Sequence, residues 1–119
     1  MRFNEEQKKK LVRMINERIL NHNEKIIFFH RTIEHLHHKY TLKFSDDKFD
    51  IDIFIYDHFQ HKDIEIDIHD KILNKSLIFD SHQYFINPKD IKMLINSLID
   101  LYHSEEEEKE TDEILKKLC

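Results

Sequence analysis

Two short runs in the middle of the chain place reactive side chains at every second position. Asp50, Asp52, Phe54 and Tyr56 alternate with isoleucines in the first, and Asp63, Glu65 and Asp67 do so in the second. Residues two apart fall on one face of a strand, so these carboxylates are expected to share a surface. Paired carboxylates can hold a hard cation, with water completing its octahedron. They can also receive the ammonium and guanidinium groups of a basic partner. Their charge would speed that approach, and Phe54 and Tyr56 would anchor the contact. The plainer alternative is a solvated sheet face kept charged against edge aggregation. The basic partner is the functional expectation, with Asp50, Asp52, Phe54, Tyr56, Asp63, Glu65 and Asp67 as its contact residues. No cofactor is expected, and no residue is assigned to a metal.

Asp52 with Glu65-Ile66-Asp67 resembles the strand pattern of the PD-(D/E)xK nucleases, over at most the middle third of the chain. That family sets an Asp on one strand and a Glu or Asp followed by x-Lys on the next, around Mg²⁺. The resemblance implies a carboxylate-dependent metal enzyme acting on nucleic acid. Asp67 stands where the family has its lysine.

The ten histidines supply two further sets. His30, Glu34 and His38 are spaced four apart and would share a helix face. His58 and His61 lie with Asp57 and Asp63 around a turn. Either set has ligand types suited to zinc, but neither forms a specific motif, and exposed polar histidine is the expectation. Lys8, Lys9, Lys10, Arg13 and Arg18 make a basic stretch able to meet phosphate. No recognition-helix or RNA-binding aromatic signature accompanies it. The serines sit in no nucleophile elbow. Cys119, the single cysteine, excludes an intramolecular disulfide and a cysteine-based zinc site.

The elements that position these residues follow from periodicity. Leu11, Ile15, Ile19, His22, Ile26, Phe29, Ile33 and Leu36 keep a heptad-like spacing, which predicts one long, kinked helix within residues 1–39. A helical hairpin broken at Asn21-His22-Asn23 is the alternative. A stripe of roughly 50 Å would overhang any sheet, so a homodimer through this helix is expected, with His22 buried in its seam.

Residues 40–86 change to period two. Tyr40, Leu42 and Phe44 open the pattern. A turn centred on Phe59-Gln60 sets Ile55 against Ile64, Ile53 against Ile66 and Ile51 against Ile68, with all six on one face. The same register sets Asp52 opposite Asp67, Asp50 opposite His69, Phe54 opposite Glu65 and Tyr56 opposite Asp63. A further strand is expected at Ser76–Asp80, with Gln83–Ile86 as its return. Asn87-Pro88 reads as an N-cap and first helical position, opening a helix over residues 88–118 with an acidic tail. Ser104 and Glu107 offer a capping box that would split off a second helix.

The fold expectation is therefore α+β. An antiparallel sheet of three to five strands is covered on one face by a long N-terminal helix and a C-terminal amphipathic helix. With 119 residues, 39% hydrophobic and 36% charged, the chain is sized for a single domain. The absence of glycine excludes glycine-rich phosphate loops and dinucleotide turns. No apolar run approaches the roughly 20 residues of a membrane span, and no signal peptide is read, so no membrane contact is expected and the location is cytoplasmic. Residues 1–43 carry ten Lys/Arg against five Asp/Glu, and residues 44–119 carry nine against nineteen. That asymmetry suggests a charged partner. The expected function is a small acidic intracellular interaction module. Its analogues in size and charge are the inhibitors that phages and mobile elements encode, engaging a basic, nucleic-acid-binding protein. The alternatives are the metal nuclease and a basic-helix nucleic-acid-binding dimer.

Overall fold

A computed structural model describes residues 2–59, 61–83 and 87–119. The isoleucine alternation builds strands β3 (Phe49–His58) and β4 (Lys62–Asp70). They pair antiparallel in the expected register, Ile55 with Ile64, Ile53 with Ile66 and Ile51 with Ile68. The backbones of His58 and His61 bond to each other across the turn. Ile51, Ile53, Ile55, Ile64 and Ile66 are fully buried. Strand β2 (His37–Ser45) pairs with β3 and buries Tyr40, Leu42 and Phe44 on the same face, while β5 (Lys75–Asp80) pairs with β4 and buries Phe79.

The fifth strand overturns part of the helical expectation. Residues Ile26–Glu34 form β1, an edge strand antiparallel to β2, so the order is β1-β2-β3-β4-β5. Helix α1 covers only Glu5–Ile15 and ends in a wider, π-type turn over Asn16–Leu20. The weak triplet Asn21-His22-Asn23 ends the helix instead of kinking it. Ile26-Ile27-Phe28-Phe29 and Thr32-Ile33 are rich in β-branched and aromatic types, which suit a pleated surface. The misleading spacing has a geometric cause. Ile26 opposes Phe44 and Phe28 opposes Lys43, so Ile27 is an extra, bulged residue. The bulge lets Ile26 and Phe29 both pack toward the core although they are three apart, as on a helix.

Leu11, Ile15 and Ile19 are buried within their own chain. The long apolar seam offered to a second copy is thus not present on α1. His22, expected in that seam, is an exposed residue of the turn beside Glu24.

Without glycine, the chain turns on other residues. His35, in the loop between β1 and β2, has φ 44°, and Asn74, before β5, has φ 52°. Asn and His are among the types that tolerate this left-handed region. Asp46 and Asp70 brace the β2–β3 and β4–β5 turns, each accepting two backbone N–H groups through Oδ1.

Helix α2 runs from Lys89 to Leu118 without a break, so the Ser104–Glu107 cap is not used. Pro88 occupies its N-cap. Asn87, expected there, instead donates from Nδ2 to the Lys62 carbonyl and ties the helix start to β4. The proposed return strand at Gln83–Ile86 lies mostly outside the described residues, and Gln83 itself ends a short 3₁₀ turn from Ser81. Ile91, Leu94, Ile95, Leu98 and Ile99 press onto the sheet beside α1. Tyr102 packs edge-on against Phe29 at 5.1 Å and Tyr40 at 5.2 Å. Both helices lie on one face of the five-stranded sheet, an α+β two-layer arrangement.

Past His103, α2 leaves the sheet at the β1 edge, where Arg31 stands 3.8 Å from Glu106. At about 100° per residue, Ile114, Leu115 and Leu118 fall roughly opposite the buried stripe and are exposed. The tail therefore does not extend the core.

Ser81 is fully buried, and its Oγ accepts the Ile64 backbone N–H at 2.8 Å, one position beyond the last β4–β5 pair. Ser81→Ala leaves that buried donor without its partner. The expected cost is about 1–3 kcal/mol, read as a lower midpoint of chemical unfolding, with Ser81→Thr retaining part of it.

Candidate interaction face

The sheet face opposite the helices is covered by no other element among the described residues. It carries all seven contact residues read from the sequence. Asp52 opposes Asp67, Phe54 opposes Glu65, Tyr56 opposes Asp63 and Asp50 opposes His69. Strands β2 and β5 extend these rows. Lys43 lies beside Asp52 and Lys39 beside Tyr56, while Asp80 lies beside Glu65 and Ile78 beside Asp67. The acidic residues thus lie on β3, β4 and β5, and the lysines lie on β2.

The structure divides the seven into groups with different surroundings. Asp50 belongs to a turn network. Ser45 Oγ donates to it at 2.6 Å and the Lys71 ammonium stands at 3.3 Å. These contacts, the Ser45 bond foremost, hold its carboxyl below the usual range. Asp63 sits at the other end, 3.4 Å from both His61 and His82. Between them, Asp52, Glu65, Asp67 and Asp80 crowd together.

Partial burial, the Asp67 charge and a hydrogen bond to Asp67 push the Glu65 carboxyl upward, and Asp80 adds to this. Asp67 is also pushed up, first by burial and then by Asp52 and Asp80. The hydrogen bond from Glu65 opposes the rise. Burial and crowding thus raise both carboxyls of the pair. One Asp67 oxygen, Oδ1, is shielded from solvent and has no hydrogen-bond partner among the described residues.

Phe54 and Tyr56 border this cluster. The Lys39 ammonium lies 5.6 Å and 5.5 Å from their ring centroids, within cation–π reach. It is occupied by the rings and does not bridge the carboxylates. Tyr56 keeps 40% of its surface exposed.

Asp80 is the member that the sequence reading missed. Its signal was available, because a strand over Ser76–Asp80 that buries Phe79 must turn Asp80 outward. The missing piece was the β4–β5 register.

The first histidine set separates, whereas His58 and His61 stay together at their turn, ring centroids 5.3 Å apart, with His61 3.4 Å from Asp63. His30 and Glu34 lie on the outer face of β1, but His38 is on β2 and opposes Ile33 on the inner face. Among the described residues, no three His, Cys, Asp or Glu side chains are arranged to hold a metal ion. The basic stretch is divided too. Lys8 is buried with its ammonium 2.6 Å from Glu5, and Arg18 pairs with Asp46 at 2.5 Å, lying 4.7 Å over the Phe49 ring. Lys9, Lys10 and Arg13 stay exposed. Among the described residues, no helix is long and apolar enough to cross a membrane.

Comparison with protein-family models, curated proteins and solved structures returned no match.

Proposed function

We propose that this protein is an intracellular interaction module whose uncovered sheet face engages a basic protein surface, in the manner of a small acidic inhibitor of a nucleic-acid-binding protein. One observation carries the proposal. Asp52, Glu65, Asp67 and Asp80 are crowded on an open face, with Asp67 and Glu65 pushed toward protonation. Like charges held together cost folding energy. An incoming Arg or Lys would relieve the repulsion through charge-assisted bonds, stronger than neutral ones, to the exposed carboxylate oxygens. Phe54 and Tyr56 beside the cluster give that cation's stem an apolar bed. An inhibitor from a phage or mobile element would act by occupying the phosphate-binding surface of its target. Exposed apolar side chains that a second copy could cover include Ile114, Leu115 and Leu118 on the α2 overhang.

The test is capture from cell extract by the immobilised protein and by its Asp52→Asn/Asp67→Asn variant. A captured protein of high isoelectric point should be lost with the variant, and its binding to the parent should weaken as salt rises. Equal capture by both forms would overturn the proposal. Cleavage of nucleic acid that depends on Mg²⁺ or Mn²⁺, and is abolished in the variant, would replace it with the nuclease reading.

A further inference from the structure

On the helical side of the sheet, where α1 crosses the upper ends of the strands, two cavities adjoin. The first, of about 320 Å³, is walled mainly by Leu11, Met14, Phe49, Ile68 and Leu77. The second, of about 460 Å³, lies between α1, the turn after it and the β2–β3 turn, and is lined by Lys10, Arg13, Arg18, Lys25 and Lys48 with three carboxylates. Lys10 and Met14, one helical turn apart, line both. Each volume falls within the range of about 300–1,000 Å³ that small-molecule sites occupy.

The charges in the second cavity do not cancel. Arg18 and Asp46 neutralise each other at 2.5 Å. Among the described residues, Lys10, Arg13, Lys25 and Lys48 make no ion pair. Among the described residues, the lining carboxylates besides Asp46 are Glu17 and Asp47, on a chain whose net charge is −5. The cations come from three separate segments, so no single solvated helix face accounts for them. Next to them is an opening with almost no polar wall. A free anion would use one compartment, and an uncharged hydrocarbon would use the other.

We infer that this paired cavity binds an anionic amphiphile, its alkyl chain against Met14, Phe49, Ile68 and Leu77 and its phosphate or carboxylate head among Lys10, Arg13, Lys25 and Lys48. The head gains several charge-assisted contacts without having to break an existing ion pair. The chain leaves water for an apolar wall, each buried methylene adding up to about fourfold in affinity. The site is on the opposite side of the sheet from the acidic face and does not depend on it.

The experiment is a titration of the full chain, followed by amide chemical shifts, with decyl phosphate below its micelle concentration, decanoate, decanol and inorganic phosphate. Decyl phosphate should bind saturably and about tenfold or more tighter than either decanol or inorganic phosphate, with shifts at both ends of the paired cavity. Decanoate should bind in the same place, and its affinity relative to decyl phosphate identifies the preferred head. Arg13→Glu with Lys48→Glu, both exposed positions, should weaken decyl phosphate binding by about tenfold and leave decanol binding unchanged. Leu77→Trp should remove the advantage of the chain and spare inorganic phosphate.

Equal affinity for decyl phosphate and inorganic phosphate would overturn the inference, as would binding that survives Arg13→Glu/Lys48→Glu. Sedimentation with phosphatidylglycerol vesicles but no binding of the free amphiphiles would also overturn it, in favour of contact with a membrane surface.

Discussion

Replacing Ile53 with aspartate is expected to abolish cooperative folding. Ile53 is fully buried at the centre of the sheet, paired with Leu42 of β2 on one side and Ile66 of β4 on the other. The side chains paired with it across the sheet are apolar, and the layer around them is Leu, Ile and aromatic. An unpaired carboxylate there either stays ionised without solvation or takes up a proton, and both cost several kcal/mol. A domain of this size has only about 5–15 kcal/mol of stability in total. Ile53→Val, which keeps the shape and removes one methylene, should cost only about 1 kcal/mol. Circular dichroism melts of both variants make the check. A cooperative transition near the parent temperature for Ile53→Asp would mean that the strand presents its other face to the core.

That prediction was within reach of the sequence alone, and the reason is local. Between Phe49 and Asp70 the apolar period is two without interruption, and a short turn fixes the register. One register puts every isoleucine on one face, and a shift by one residue would expose them all. The outer placement of Asp52, Phe54, Glu65 and Asp67 follows from the same alternation. The β1 region lacked that clarity because the bulge at Ile27 breaks the period of two just where Ile26 and Phe29 look helical. Tertiary pairing with β2 then decides the structure, and single-strand spacing cannot report it. Arg31 also hides the pattern. It occupies an inward position of β1, yet its guanidinium reaches past Tyr102 toward Glu106, so a charged residue stands where an apolar one would mark the face. The basic groove was illegible for a similar reason. Lys10, Lys25 and Lys48 are far apart in sequence and meet because the π-type turn after α1 ends at Leu20 beside the β2–β3 turn.

The acidic face should show its strain as a gain in stability when its charges are removed. In Glu65→Gln/Asp67→Asn the mutual repulsion and the repulsion of this pair by Asp52 and Asp80 disappear. Both carboxyls are raised above ordinary values of 4.5 and 3.8 in the folded state. As pH rises through those values, the unfolded chain loses these protons first while the folded chain still holds them. The folded state is the better proton binder in that window, so the stability contributed by this pair is present at low pH and lost as pH rises through the folded values. Asp46 runs the other way. Burial alone would raise it, but bonds from the Phe49 and Lys48 N–H groups and from Arg18 outweigh burial and lower it, so its contribution disappears as pH falls. The double variant removes the first trend and leaves the second. At neutral pH it should melt a few degrees above the parent, the gain held below about 1 kcal/mol because both groups face solvent and are screened. Toward pH 4 the two proteins should converge as the parent pair becomes protonated. A variant that melts below the parent at neutral pH would show that the cluster supports the fold. It would then remove the argument that these charges are kept, at a cost in stability, for a cationic partner.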